Sequence, residues 1–266
     1  MFKEYFLVCR PSLLALGLMA SIGLINWSGQ LWTQKTPLIV ILVFSVNLAW
    51  TLYNELMDRK LDRVNKPEKP LPSGEVSGIR VYQMMVILLG ISLFSNLFLV
   101  LFFNPIYIVG FFGHVTAFIY NIGRKDLFGN ICMSTTYGLA CFVSLYPNYL
   151  LFSLAFFFFT FGHNIIQQFM DLPAEKAVGI VTVPMQFSDL GTLLLTEGLL
   201  MCSLAQFLWL FHETFYIPLL IFILGVSGTS YSAFSIMMQK HERIGKITLK
   251  IERILLIVGF TTMLIF

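Results

Sequence analysis

The sequence predicts an all-α protein, a multi-pass transmembrane bundle of about nine helices around a central cavity. Of its 266 residues, 57% are hydrophobic and only 12% are charged, whereas ordinary globular chains have about a quarter charged residues. The mean hydropathy is +0.80, and 27 phenylalanines leave too little polar surface to cover a soluble particle. The composition excludes a soluble domain and a disordered chain, and a net charge of +3 gives no reason to expect a nucleic-acid partner.

A membrane-spanning helix needs about 20 largely apolar residues, fewer where a bundle shields its ends. Apolar runs bounded by charges, prolines and turn residues define nine such helices. Two boundaries rest on the turn dipeptides Asn104-Pro105 and Pro147-Asn148, so a bundle of eight helices remains an alternative. The predicted spans, numbered one to nine, are Pro11–Trp27, Pro37–Tyr53, Val81–Phe103, Ile106–Ile122, Ile131–Tyr146, Tyr149–Met170, Thr192–Phe211, Ile217–Met238 and Ile251–Phe266.

The distribution of basic residues predicts the orientation of the bundle. With the amino terminus in the cytoplasm, nine spans place all 17 lysines and arginines except Lys35 on the cytoplasmic side, as the positive-inside rule requires. No small-residue cleavage pattern follows the first span, so we expect it to be retained. We therefore expect one integral-membrane domain over residues 1–266, in the cell membrane, with its active site facing the cytoplasm. The four cysteines have no paired spacing, which indicates neither a disulfide framework nor a zinc site.

A first acidic cluster follows span two. Asn54, Asp58 and Asp62 recur every fourth residue, which puts them in a row on one helix face, about 6 Å apart along the axis. Oxygen ligands in such a row suit Mg²⁺, which takes one or two carboxylates and fills its other positions with water and phosphate oxygens. A charged helix end at the membrane surface would equally explain this cluster taken alone. Phosphate-binding charge comes from Arg59, Lys60, Arg63 and Lys66, and a constrained loop follows at Pro67, Pro70, Pro72 and Gly74.

A second cluster follows span six and repeats the spacing with Gln167, Asp171 and Glu175. Both clusters then lie at the cytoplasmic ends of their spans, so we expect them to face one another across a cavity. Two carboxylate pairs arranged in this way can hold Mg²⁺ ions around one diphosphate and neutralise it as a leaving group.

These two motifs resemble the signatures of the UbiA-type intramembrane prenyltransferase superfamily. The first signature, a four-residue row followed by a basic Pro-Ser-Gly loop, is met by Asn54, Asp58, Asp62 and the loop Lys66–Gly74. The second, an acidic pair before Gly-x-x-Thr-x-Pro, is met by Asp171, Glu175, Gly179, Thr182 and Pro184, with Glu175 in place of the usual Asp. The loop after span four also resembles the family, because Tyr120, Arg124 and Lys125 are similar to its segment of aromatic and basic residues.

The resemblance implies a Mg²⁺-dependent transfer of a polyprenyl group from a prenyl diphosphate to a membrane-associated acceptor, lipophilic or aromatic, such as a quinone precursor. Its other partners would be membrane lipids. The implied catalytic residues are Asp58, Asp62, Asp171 and Glu175, and these four with Asn54 are the implied metal ligands. The implied diphosphate-binding residues are Asn54, Arg59, Arg63, Lys66, Tyr120, Arg124, Lys125 and Gln167.

Other interpretations and other polar residues remain open. A terpene cyclase would share the fold and the ionisation step but lack an acceptor, and a multi-pass transporter would share the repeated half-motifs. His163 extends the second row by one turn, although a hydrogen-bonded core histidine explains it as well. Glu197 within span seven is a candidate acceptor ligand or an intrabundle pair. The basic run Lys240–Lys246 is typical of contact with anionic headgroups.

Overall fold

The computed structural model describes residues 8, 18, 22–26, 29, 33–122, 125–147, 150–211 and 254. Predicted span eight and the basic run Lys240–Lys246 lie outside the described residues, as do most of spans one and nine. The predicted number of nine helices therefore stays a prediction, whereas spans two to seven can be compared directly.

Every regular secondary-structure element in the described ranges is a helix, which confirms the predicted all-α class. A 3₁₀ turn spans Pro105–Ile108. The helices are α1 Thr36–Met57, α2 Arg59–Asn65, α3 Pro70–Ser73, α4 Gly78–Phe102, α5 Val109–Asn121, α6 Leu127–Leu145, α7 Leu150–Ala177, α8 Val183–Gln186 and α9 Asp189–Phe211.

Several of these helices have the length and composition of membrane spans. Within the described residues, α1, α4, α6 and the segment Asp189–Leu210 of α9 are long and apolar enough to cross a bilayer. The 25-residue α4 leaves large apolar side chains uncovered by protein, with Ile87 63% and Phe94 67% exposed. In a bilayer such an apolar face contacts lipid. A helix can be exposed to lipid in this way because it satisfies its backbone hydrogen bonds internally.

Several helix boundaries differ from the predicted spans by one to seven residues, and the differences at the start of α6 and the end of α7 have local reasons. α6 begins at Leu127, four residues before the predicted Ile131, because the side chain of Asp126 accepts a hydrogen bond from Gly129 N at 2.8 Å and caps the helix. α7 continues past the predicted end at Met170 to Ala177 and contains Pro173. The second acidic cluster is therefore part of the helix.

The helices pack in an order that brings the two clusters together. α1 packs along α4, α5 on α6, α6 on α7, and α7 on α9. Glycines allow two of these approaches: a Cβ at Gly138 would lie 3.2 Å from Ser153 O, and one at Gly162 would lie 3.0 Å from the Leu200 side chain. The short helix α2 also packs against α7, so the end of α1 and the end of α7 meet.

The first acidic row survives a break between two helices. α1 ends at Met57 and α2 begins at Arg59, yet Asp58 N donates to Asn54 O and Asp62 N donates to Asp58 O, each at 2.8 Å. These bonds keep the four-residue register, as the spacing predicts. The chain then turns back through α3, where Gly74 adopts a left-handed conformation with φ of 86°.

Candidate active site

One lysine joins the two acidic clusters. Lys125 Nζ lies 2.9 Å from Asp58 Oδ1 in the first cluster and 3.6 Å from Glu175 Oε1 in the second. The side chains of Lys125, Asp58 and Glu175 are only 12%, 16% and 2% exposed. The two clusters therefore face each other, as we expected from their positions after spans two and six.

A second lysine holds two further carboxylates together. Lys69 Nζ lies 2.7 Å from Asp62 Oδ2 and 3.0 Å from Glu55 Oε2. Both carboxylates are buried, and a buried carboxylate is costly unless it is paired. Glu55 is not among the predicted site residues, because it lies one residue off the four-residue row that starts at Asn54.

The loop that carries Lys69 also reaches the second cluster. Lys66 Nζ lies 3.0 Å from Asp171 Oδ1, and both side chains are about one third exposed (39% and 31%). Lys66 and Lys69 are three residues apart, so one short loop contacts both clusters. Of the interleaved basic residues of the first motif, Lys66 thus lies beside an acid of the second cluster, and its role in diphosphate binding stays a prediction.

Burial and neighbouring charges change the pKa values of three residues of the site. Burial raises the pKa of Glu175 to about 7, against the opposing effect of Lys125. Burial also raises the pKa of Asp62, although its hydrogen bond to Lys69 opposes the shift. Burial alone would lower the pKa of Lys125, but the Asp58 carboxylate outweighs it, so the net shift is upward and Lys125 stays charged. Lys125 is therefore a permanent cation between the clusters.

The remaining predicted site residues are placed as follows. Asn54 lies one turn before Asp58 and is half-buried, as is Tyr120 near the end of α5. Gln167 and His163 are hydrogen-bonded, with 2.6 Å between the amide nitrogen and Nε2, and His163 stacks on Phe159. This contact agrees with the core-histidine interpretation of His163.

The predicted basic residues Arg59, Arg63 and Arg124 differ in their positions. Arg59 is half-buried on α2, and its buried Nε has no hydrogen-bond partner among the described residues. Arg63 is exposed on the same helix. Arg124 lies outside the described residues. For all three, diphosphate binding stays a prediction.

The loop that presents Lys125 is held by a residue that the spacing argument missed. Gln168 Nε2 donates to Lys125 O at 3.0 Å, and Val183 N donates to Gln168 Oε1 at 3.2 Å. Lys125 and Thr182 also form a parallel backbone bridge. Gln168 is buried and lies next to Gln167, off the acidic row, so neither periodicity nor charge marked it.

The donor atoms fit a hard divalent cation. Within the described residues no three His, Cys, Asp or Glu side chains converge as ligands of one metal ion would. Instead, the ammonium groups of Lys69 and Lys125 lie between pairs of carboxylates, where a cation is favoured. Glu175 Oε2 is buried and has no hydrogen-bond partner among these residues. Such oxygen pairs match the one or two carboxylates that Mg²⁺ takes beside water and phosphate.

Comparison with known proteins identifies the family. The sequence profile of the UbiA prenyltransferase family matches residues 11–254. A digeranylgeranylglyceryl phosphate synthase of Methanosphaera stadtmanae is 25% identical over 270 residues, covering 97% of this chain and 98% of that protein. The synthase of the same name from Methanobrevibacter smithii is 28% identical over 194 residues, covering 66% of this chain and 67% of that protein.

Solved structures share the fold. A UbiA homologue from Archaeoglobus fulgidus, solved with GPP and Mg²⁺, superposes with a TM-score of 0.71 at 17% identity and covers 99% of this chain and 100% of that chain. A UbiA homologue from Aeropyrum pernix K1 superposes with a TM-score of 0.72 at 16% identity and covers 96% of this chain and 98% of that chain. Because the family profile also matches nearly the whole sequence, the chain belongs to the UbiA prenyltransferase family and is an integral-membrane prenyltransferase.

Proposed function

We propose that the protein transfers a polyprenyl group from a prenyl diphosphate to a membrane lipid acceptor in a Mg²⁺-dependent reaction that releases diphosphate. The observation that carries this proposal is the contact of Lys125 with Asp58 and Glu175, which joins two acidic clusters at one end of an apolar bundle. A diphosphate headgroup held there would leave its prenyl chain inside the bundle.

The residues of the two clusters would act on the departing diphosphate. The bond that breaks joins the allylic carbon to the diphosphate oxygen, and Lys125 and Lys66 would stabilise the departing negative charge. Mg²⁺, held by Asp58, Asp62, Asp171, Glu175 and Asn54, would neutralise the diphosphate. The acceptor hydroxyl oxygen then forms a bond to the allylic carbon, and its proton passes to the released diphosphate.

An aromatic group lies beyond the acidic row, with Trp50 and Tyr53 half-buried and Phe118 49% exposed. The rings of Tyr53 and Trp50 are 5.8 Å apart, and Tyr53 stacks on Phe118 at 6.2 Å. On α1, Tyr53 precedes Asn54 directly and Trp50 is one turn further in. Aromatic faces attract cations, and an apolar interior excludes the water that would otherwise capture a carbocation.

The names of the relatives guide the choice of acceptor. A digeranylgeranylglyceryl phosphate synthase makes a glyceryl phosphate with two prenyl chains, so we propose a glyceryl phosphate that already carries one prenyl chain as the acceptor. An aromatic acceptor, such as a quinone precursor, is the competing substrate in the test below. We also propose that residues 1–266 form one domain in the cell membrane, with the site on the cytoplasmic face, because the basic residues favour that orientation.

The test is product identification with purified protein in lipid nanodiscs. Geranylgeranyl diphosphate and Mg²⁺ are supplied with monoprenylated glyceryl phosphate, with 4-hydroxybenzoate, or with no acceptor, and Asp58→Ala serves as the inactive control. We expect a conjugate with the glyceryl phosphate by mass spectrometry, together with one diphosphate per conjugate. A conjugate only with the aromatic acid would overturn the proposed glyceryl phosphate acceptor. A cyclic hydrocarbon formed without an acceptor, or the absence of diphosphate release, would overturn the proposed transferase activity.

A further inference from the structure

Lys125 is attached to α7 at two points. Its ammonium group contacts Glu175, and its backbone carbonyl accepts a hydrogen bond from Gln168 Nε2 at 3.0 Å. Gln168 and Glu175 are seven residues apart, two helical turns, so they lie on the same face of α7. One face of this helix therefore holds both ends of Lys125.

The Gln168 side chain uses both ends of its amide. While Nε2 donates to Lys125 O, Oε1 accepts from Val183 N at 3.2 Å. Val183 directly follows Thr182, which pairs with Lys125 in the parallel backbone bridge. The amide is thus the link between three separate segments: α7, the loop before α6, and the start of α8.

The backbone of Lys125 is fixed from a second side as well. Asn130 Nδ2 also donates to Lys125 O at 3.0 Å. This bond lies within one segment, because Asn130 belongs to the first turns of α6. Only Gln168, of these two amides, ties the Lys125 backbone to the helix that carries Asp171 and Glu175.

We propose that Gln168 is a positioning residue for prenyl transfer, which acts by holding the Lys125 ammonium group between the two acidic clusters, where it contacts the diphosphate. This inference rests on the proposed function. Without the Gln168 amide, the Lys125 backbone loses its hydrogen bond to α7. The attachment to Glu175 remains, but it is made by the ammonium group, which must share that carboxylate with the incoming substrate. A lysine side chain is long and flexible and does not itself fix the ammonium group. The position of the backbone therefore sets which oxygens the ammonium group can reach.

A double-mutant cycle separates this role from simple structural support. The affinity of inorganic diphosphate in the presence of Mg²⁺ is measured by calorimetry for wild type, Gln168→Met, Lys125→Met and the double variant. We expect Lys125→Met to weaken binding about tenfold, since a hydrogen bond to a charged group is lost. Gln168→Met should weaken binding about fivefold alone, but less than about twofold in the Lys125→Met background, because coupled residues are not additive. The same losses in both backgrounds would overturn the inference.

Two further variants control for effects on the fold. Gln186→Met removes another amide contact beside this loop, the 2.9 Å bond from Leu127 N at the start of α6 to Gln186 Oε1, and should leave diphosphate affinity within about twofold. Gln168→Asn keeps the amide on a shorter arm and should show a smaller loss than Gln168→Met. A loss with Gln186→Met equal to that with Gln168→Met, or loss of folded protein in both Gln168 variants, would overturn the positioning role. Wild-type protein that binds no diphosphate would overturn the proposed function, and the inference with it.

Discussion

Asp58 and Glu175 lie on separate helical segments and share one ammonium group, since Lys125 Nζ is 2.9 Å from the first carboxylate and 3.6 Å from the second. This contact makes one site from two motifs that are far apart in the sequence. Each motif alone resembles an ordinary charged helix end. Together, at the end of an apolar bundle, they form the site that we propose for Mg²⁺ and diphosphate.

The paired-cluster account predicts that Asp58→Ala, Asp62→Ala and Asp171→Ala each reduce turnover by at least about two orders of magnitude, because each removes a charged ligand from diphosphate activation. Folding should survive, as shown by size-exclusion chromatography and thermal unfolding. Diphosphate release is the measured rate, and Glu75→Ala, an exposed acid outside the clusters, is the matched control. Near-normal rates in two of the three folded variants would rule out the account.

Charge at position 175 should matter more than side-chain length. Glu175→Asp should keep partial activity and Glu175→Gln should keep much less, because only the first retains a carboxylate for a cation. The comparison is made at saturating Mg²⁺ and prenyl diphosphate. Equal activity of the two variants would contradict a metal-binding role for Glu175.

The raised pKa of Glu175 also predicts a pH dependence of stability. Burial raises this pKa from its ordinary value to about 7, so the folded protein binds more protons than the unfolded chain between about pH 4.5 and pH 7. The associated stability is fully present below about pH 4.5 and is lost as the pH rises through 7, by at most roughly 3 to 4 kcal/mol. Thermal unfolding of the Mg²⁺-free protein should show this decline, and Glu175→Gln should reduce it. An unchanged pH profile in that variant would disprove the assignment.

Lys69 should be essential to the fold of its loop. Lys69→Met leaves the buried carboxylates of Asp62 and Glu55 without their cation, and breaking a buried pair costs about 3 to 5 kcal/mol. Adding Glu55→Gln to Lys69→Met should recover part of this loss. Lys66→Met breaks a pair that is more exposed and should cost less than about 1 kcal/mol. Chemical denaturation gives the free energy of unfolding of these three variants. Equal losses for Lys66→Met and Lys69→Met would contradict the difference in burial between the two ion pairs.

Sequence reasoning predicted the helices better than the contacts of the site. Spans two to seven follow from the lengths of apolar runs, and the row Asn54, Asp58, Asp62 follows from helical periodicity, which continues across the break at Asp58. The end of α7 was wrong, because polar residues after Met170 end the apolar run but not the helix. The pairing of Lys125 with Asp58 and Glu175 depends on how distant segments pack, so no local pattern could reveal it. Glu55 and Gln168 each lie one residue off a periodic row and carried no signal.

Sidedness connects the predicted topology with the chemistry. In a background without the four natural cysteines, Ser73→Cys in the exposed proline-rich loop should react with an impermeant thiol reagent only after the cytoplasmic face is opened. Gln34→Cys, next to Lys35 and also exposed, should react in intact cells and is the matched control. Mg²⁺ with diphosphate should slow the reaction at Ser73→Cys. Reaction of Ser73→Cys in intact cells would overturn the proposed orientation.

The most direct test of the central claim is a structure of the protein with Mg²⁺ and a non-hydrolysable prenyl diphosphate. We expect the diphosphate between the two acidic clusters, within hydrogen-bond distance of Lys125 Nζ. Mg²⁺ should bind carboxylates of both the first cluster, with Asp58, and the second cluster, with Asp171. The prenyl chain should lie inside the bundle beside Tyr53. A diphosphate bound to one cluster only, or bound away from Lys125, would contradict the paired-cluster account.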